Sequence, residues 1–202
     1  MSDSRVKSGR GLIGAALDVA AIGALAWALA GQTALRAASS SDPPPDELEV
    51  KAAFVLNFIR LVGWPSVPEE GNGTELPVCA LAKTDFANAV RQAVDGKAVG
   101  NRTISFKITP APEPSRCRAL IVDTSQYPMA REVMKAVRDS PVLTVGNGAG
   151  LLAIGGMFEL VVEDRKVQFD ASLEAVRRAK LDVSARLLQL SRNLRKGAGR
   201  GF

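Results

Sequence analysis

The sequence predicts an α/β fold: a single domain with a mostly parallel central sheet covered by helices, closed by a C-terminal antiparallel hairpin and helices. Three observations lead there. Short, continuously apolar runs (Leu76–Ala82, Ala119–Asp123 and Pro141–Val145) have the composition of strands buried on both faces. They alternate with segments of helical period, the order expected of a parallel sheet. Later, Met157–Glu163 and Lys166–Asp170 flank Asp164-Arg165 as the arms and turn of a hairpin.

Taken in order, residues 1–30 read as a signal peptide. Arg5, Lys7 and Arg10 precede a 12-residue apolar run, Val19–Ala30, of the length of a secretory h-region. Ala28-Leu29-Ala30 fits an A-x-A cleavage site. The alternative is an uncleaved anchor from Leu12 to Ala30, against which Asp18 would be costly in lipid. Residues 31–45 are small, polar and proline-rich, the composition of a flexible leader. The folded domain is expected over residues 46–196, followed by a disordered tail at 197–202.

The stretch ELEVKAAFVLNFIRLVGWP, Glu47–Pro65, organises the domain. Prolines 43–45 bar a helix before it. Asp46 stands at the N-cap position with Glu49 three residues on. Val50, Phe54, Phe58 and Leu61 recur at helical spacing, and Val55, Ile59 and Val62 widen that face. Gly63 and Pro65 end the helix. Beyond it, Leu76–Ala82 is a strand, and Thr84 caps a helix to Val94 with Phe86, Ala89, Val90 and Ala93 inward. Thr103–Thr109 alternates as a strand, and Pro110, Pro112 and Pro114 make a loop that no central strand could contain. Ala119–Asp123 is a strand, Ser125–Arg138 a helix, and Pro141–Val145 another strand. After the hairpin, a short helix is expected near Leu173–Ala179 and a longer one at Val183–Lys196.

Composition narrows the chemistry. The 202 residues are 47% hydrophobic and 23% charged, with a net charge of +5 and no histidine. Without histidine, Ser-His-Asp and Cys-His nucleophiles and histidine-bearing zinc sites are excluded, and the usual general base near neutral pH is missing. Aromatic residues make up 5% and do not interleave with the basic ones, which argues against a nucleic-acid partner. The basic residues near the C-terminus read as a solvated face.

Three groups of residues invite a site. Cys79 and Cys117 are the two cysteines. In an exported chain a disulfide is the simplest reading, with buried free thiols or a redox-active pair as alternatives, and there is no C-x-x-C motif for the last. Gly146-Asn147-Gly148-Ala149-Gly150 follows a strand, but Leu151 stands where a dinucleotide fingerprint needs glycine, so a turn is the expected reading. Glu159 and Glu163 share strand parity and are expected on the outer face of the hairpin, with catalytic or ligand carboxylates as the alternative. No catalytic residue, metal site or cofactor emerges. Binding or regulation is favoured over chemistry, and a carboxylate hydrolase is the weakest reading.

The ordered set VKAAFVLNFIRLVGWP at 50–65, Cys79 in its strand, the FANAV helix, Gly96, Lys97, Val99, Arg102 and Ile104, Cys117 before ALIVD, PVLTV at 141–145, and the run from Gly155 to Arg192 resembles the YfiR family of bacterial periplasmic proteins. The resemblance implies a periplasmic regulator that binds the periplasmic sensor domain of a membrane diguanylate cyclase and represses it. It further implies relief through an outer-membrane lipoprotein, a homodimer, and a disulfide between Cys79 and Cys117. The interaction surface expected on that basis is the hairpin with the segment C-terminal to it: Glu163, Phe169, Leu173 and Arg177, with Phe169 and Leu173 equally readable as core. The competing function is a periplasmic small-molecule-binding sensor module.

Overall fold

In a computed structural model the chain divides into residues 1–44 and 45–202. The structure describes residues 46–65, 74–109 and 116–196. The expected signal peptide, leader and tail lie outside them.

Helix α1 (Glu47–Leu61) runs into a two-residue strand β1 (Val62–Gly63). There follow β2 (Glu75–Ala80), α2 (Asp85–Val94), β3 (Ala98–Val99), β4 (Arg102–Ile108), β5 (Ala119–Asp123) and α3 (Tyr127–Val137). The chain then forms β6 (Leu143–Asn147), the hairpin β7 (Phe158–Glu163) and β8 (Lys166–Ser172), α4 (Leu173–Arg178), β9 (Asp182–Val183), α5 (Ala185–Gln189) and β10 (Asn193–Arg195). The main sheet has the order β10-β8-β7-β6-β5-β2-β4-β3. Its central strands β4, β2, β5, β6 and β7 are parallel, as the uninterrupted apolar runs require. The chain goes outward from β2 to β4 and returns to the other side of β2 with β5, the doubly wound arrangement. Only β3 against β4 and β8 against β7 run antiparallel within it.

Two cores sandwich the sheet. One contains α1 and α2 residues (Val55, Phe58, Ile59, Phe86, Val90) with Leu76, Val78, Leu143, Phe158 and Phe169. On the other, α3 residues Ala130, Met134 and Val137 meet Leu120, Val122 and Leu151. Strand β5 supplies both: Ala119 and Ile121 go to the first core, Leu120 and Val122 to the second, by the two-residue period of a strand.

Several expectations are corrected. Asp46 makes no side-chain cap; its carbonyl instead accepts from the Val50 N–H at 3.0 Å. The apolar stripe of α1 is displaced around the helix. Lys51, Ala52, Val55, Phe58 and Ile59 are the buried residues, whereas Leu61 is 51% exposed. Lys51 can be buried because its ammonium has Glu47 at 2.6 Å and the Asn147 side-chain oxygen at 2.8 Å.

The long helix expected at Val183–Lys196 is not there. Val183 and Asp182 pair with Val62 and Gly63 as a small antiparallel ribbon. Ser184 then caps α5, its hydroxyl accepting from the Leu187 N–H. That helix ends after one and a half turns, and Asn193–Arg195 lie parallel to Asp170–Ser172. The sheet wins over helical propensity because it offers β8 an edge partner and Arg192 two carboxylates.

Candidate interaction site

The hairpin forms one side of the candidate site. Its register places Leu160 opposite Phe169 and Glu159 opposite Asp170. Alternation sends Phe158, Leu160, Val167 and Phe169 towards α1 and Glu159 and Asp170 to the far face. On the α1 side four rings pack together. Phe58 stacks on Phe158 at 4.7 Å and meets Phe169 edge-on at 5.0 Å, and Phe54 lies 6.0 Å from Phe169. Such ring pairs add about 0.5–1.5 kcal/mol each beyond the area they bury.

Outside this cluster α1, β8 and α5 do not close on one another, and an apolar groove of about 340 Å³ opens between them. Its floor is Phe58 and Phe169. Its walls are Phe54, Asn57 and Leu61 on α1, Val167 and Gln168 on β8, and Leu187 and Leu190 at α5. Strand β10 covers β8 only along Asp170–Ser172, so β8 borders the groove where that cover ends.

The far face of the hairpin is closed by hydrogen bonds. Glu159, expected outside, is 4% exposed. Its carboxylate accepts the backbone N–H groups of Gly150 and Leu152 at 2.9 and 3.0 Å. The glycine segment 146–150 therefore cradles an anion, but the anion is the protein's own. Gly148 and Gly150 take the positive φ values that bend it (84° and 115°). Leu151 fills the remaining space: a Cβ on Gly146 would stand 2.8 Å from it and one on Gly156 2.3 Å from it. Asp170 is 7% exposed and holds Arg192 in a two-pronged pair, at 2.9 Å to Nε and 2.7 Å to Nη2. Asn193 donates to it as well. Hydrogen bonding by Arg192 holds the Asp170 carboxyl below the usual carboxylate range, against a smaller opposing push from burial. The same bonds raise the Arg192 guanidinium further above its ordinary value.

The four residues expected to form the interaction surface are not gathered into one patch. Glu163 is exposed at the hairpin tip and bonds Arg192 at 3.1 Å. Phe169 is 4% exposed, part of the core and of the groove floor. Leu173 packs partly buried against the same core, and Arg177 is exposed on α4. The seven residues of β8 separate Glu163 from Leu173, a distance on the order of 20 Å along the strand. Sequence patterning does not single out Leu187, Leu190 or the half-exposed flank of α1. The signal available is the width of the α1 apolar face, broader than one sheet contact needs.

Cys79 on β2 and Cys117 just before β5 form a disulfide with a Cα separation of 5.9 Å. Both are buried in the α3-side core. The indole of Trp64, directly after β1, donates to the Arg118 carbonyl at 3.1 Å and ties the end of α1 to the same strand entrance. Among the described residues no helix is long and apolar enough to cross a membrane, and no group of three or more His, Cys, Asp or Glu residues could hold a metal ion.

Comparison with known proteins gives two findings. A family model described as YfiR/HmsC-like matches residues 48–192. Among solved structures, the chain is similar to a conserved domain protein from Vibrio cholerae O1 biovar El Tor strain N16961, with a TM-score of 0.50 and 6% identity over 74% of this chain. The match spans 60% of that protein's length, and at this identity the likeness is one of fold.

Proposed function

The chain belongs to the YfiR/HmsC-like family of periplasmic regulators in cyclic-di-GMP signalling, and on that premise we propose that it binds the periplasmic sensor region of a membrane diguanylate cyclase and represses it. The observation that carries this reading is the extent of the family match, residues 48–192, which takes in all but the first residue of α1, the hairpin, and every strand of the main sheet except β10. The site's chemistry agrees with regulation by contact. The buried carboxylates Glu159 and Asp170 are bound to the protein's own donors, so neither is presented to a substrate. The open surface of the hairpin side is an apolar groove, which suits binding. In this reading the cyclase makes cyclic-di-GMP on the other side of the membrane, an outer-membrane lipoprotein relieves repression, and the regulator acts as a homodimer.

Direct binding tests the reading. Titrating the mature protein into the purified sensor region of a candidate cyclase should give a saturable complex. No heat and no co-elution at tens of micromolar would contradict it. The groove also favours a second reading, a sensor of a small apolar molecule, since about 340 Å³ falls within the size range of small-ligand pockets. That reading predicts a rise in melting temperature with a specific metabolite, by mass action. A flat response across a broad panel would count against it.

A further inference from the structure

The main sheet ends at β10 on one side and β3 on the other. Strand β3 is two residues long and pairs with only Arg102 and Thr103 of the seven residues of β4. Beyond that cover, residues 104–108 read ISFKI, with β-branched or aromatic side chains at 104, 106 and 108, no proline and one charge. Such a segment readily accepts a further strand. The strand period fixes which backbone groups face outward. The Thr103 N–H donates to the Thr74 carbonyl and the Thr109 N–H to that of Ala80, so odd-numbered residues bond towards β2. Ile104 and Phe106 therefore turn their backbone groups to the outer edge. At Ile104 the chain entering β3 meets them: the N–H donates to the Lys97 carbonyl and the carbonyl accepts the Gly96 N–H, both at 2.9 Å. At Phe106 the partner is a side chain. The Asp95 carboxylate accepts the Phe106 N–H at 2.9 Å. Helix α2 sets that carboxylate in place, because the Asp95 N–H closes its last turn on the Arg91 carbonyl at 2.9 Å. Gly96, at a φ of 72°, then turns the chain into β3. From the same turn of α2, the Arg91 guanidinium lies 5.4 Å from the centre of the Phe106 ring.

We infer that Asp95 guards this edge: by holding the Phe106 N–H it keeps β4 from pairing with the β4 edge of a second copy of this chain. The second copy is the occupant to be kept off because it carries the identical edge. Two such edges related by a two-fold axis pair antiparallel, and that pairing draws on the outward N–H and carbonyl groups of both chains. An incoming strand has to displace the carboxylate from Phe106 or enclose its charge beside the new ladder, and both are costly. The symmetry adds a second obstacle, since pairing centred on Phe106 brings the two Asp95 carboxylates towards one another. The inference concerns self-association and does not depend on the proposed binding of a cyclase.

The test is sedimentation of the mature protein over a concentration series, well below its melting temperature, with wild type, Asp95→Ala, Asp95→Asn and Thr84→Ala. Thr84 caps the other end of α2, so Thr84→Ala weakens the same helix without touching the β4 edge. Asp95→Asn keeps an oxygen that can accept the Phe106 N–H. Asp95→Ala is expected to form species larger than those of wild type, in a proportion that grows several-fold across the series. The amides of Phe106 and Ile108 should exchange more slowly in those species than in the unassociated variant. Asp95→Asn and Thr84→Ala should sediment as wild type does. An Asp95→Ala protein that sediments as wild type would make Asp95 a brace between α2 and β4 and nothing more, and the inference falls. Equal association by Thr84→Ala would trace the effect to a weakened helix, and equal association by Asp95→Asn would show that the bond to Phe106 is not what holds the edge apart. Association that leaves Phe106 and Ile108 unprotected would place the contact elsewhere. Each of these results overturns the inference.

Discussion

Asp170 couples the hairpin to the end of the chain, and its ionisation gives the coupling a pH dependence. Its folded pKa lies below the unfolded value of about 3.9. The stability it contributes is therefore fully present above that unfolded value and is lost as pH falls through the folded one. Denaturation of wild type and Asp170→Asn should differ at pH 7, with the gap narrowing below about pH 4; an unchanged gap at pH 3 would contradict the assignment. Phe58 makes the closest ring contacts of the aromatic cluster, and Phe58→Ala should cost about 3–5 kcal/mol in a denaturant titration. A loss under about 1 kcal/mol would mean the cluster repacks. Individual residues are legible in the sequence where one rule suffices, as with the inward Phe58 or the Thr84 cap, whose hydroxyl accepts from the Ala87 N–H. Glu159 is not, because strand parity gives the face of a residue but not what covers that face. Burial of Lys51 escapes sequence patterning for a related reason: its partner Asn147 is 96 residues away in sequence.

At the scale of elements, the C-terminal arm of α5 and β10 is held by few contacts. Leu187 and Leu188 are buried, Arg192 bridges Asp170 and Glu163, and three residues pair with β8. Arg192→Ala should raise amide exchange in residues 185–195 while leaving β5 and β6 protected; uniform protection across the chain would show that the arm is held by its leucines alone. The arm also forms one wall of the groove, so its loosening should weaken any binding there. This is the part of the fold that sequence patterning misses. The run from Val183 to Lys196 has helical spacing, and a local period cannot register that an unpaired strand edge lies nearby. The buried parallel strands are legible, since a strand covered on both faces writes its environment into a run of consecutive apolar residues. Their limits still shift by one or two positions, as with Leu143–Asn147 against the expected Pro141–Val145.

For the whole molecule, the disulfide joins β2 to the entrance of β5, strands that already pair. Closing a loop of 38 residues should add about 3–4 kcal/mol by restricting the unfolded chain. Cys79→Ser should thus lower stability by about that much while leaving any binding surface intact, since both cysteines are buried under α3 and the groove lies across the sheet. Loss of binding with unchanged stability would make the bond a switch instead. The family is legible because its motifs fall in order along the whole domain, whereas the groove is not, because three elements distant in sequence build it. The central claim, repression of a cyclase, is tested most directly by cellular cyclic-di-GMP measured beside the candidate cyclase, with this protein present, deleted and restored. Repression predicts a rise on deletion that the restored protein reverses. An unchanged level on deletion, with the cyclase present and active, would contradict it.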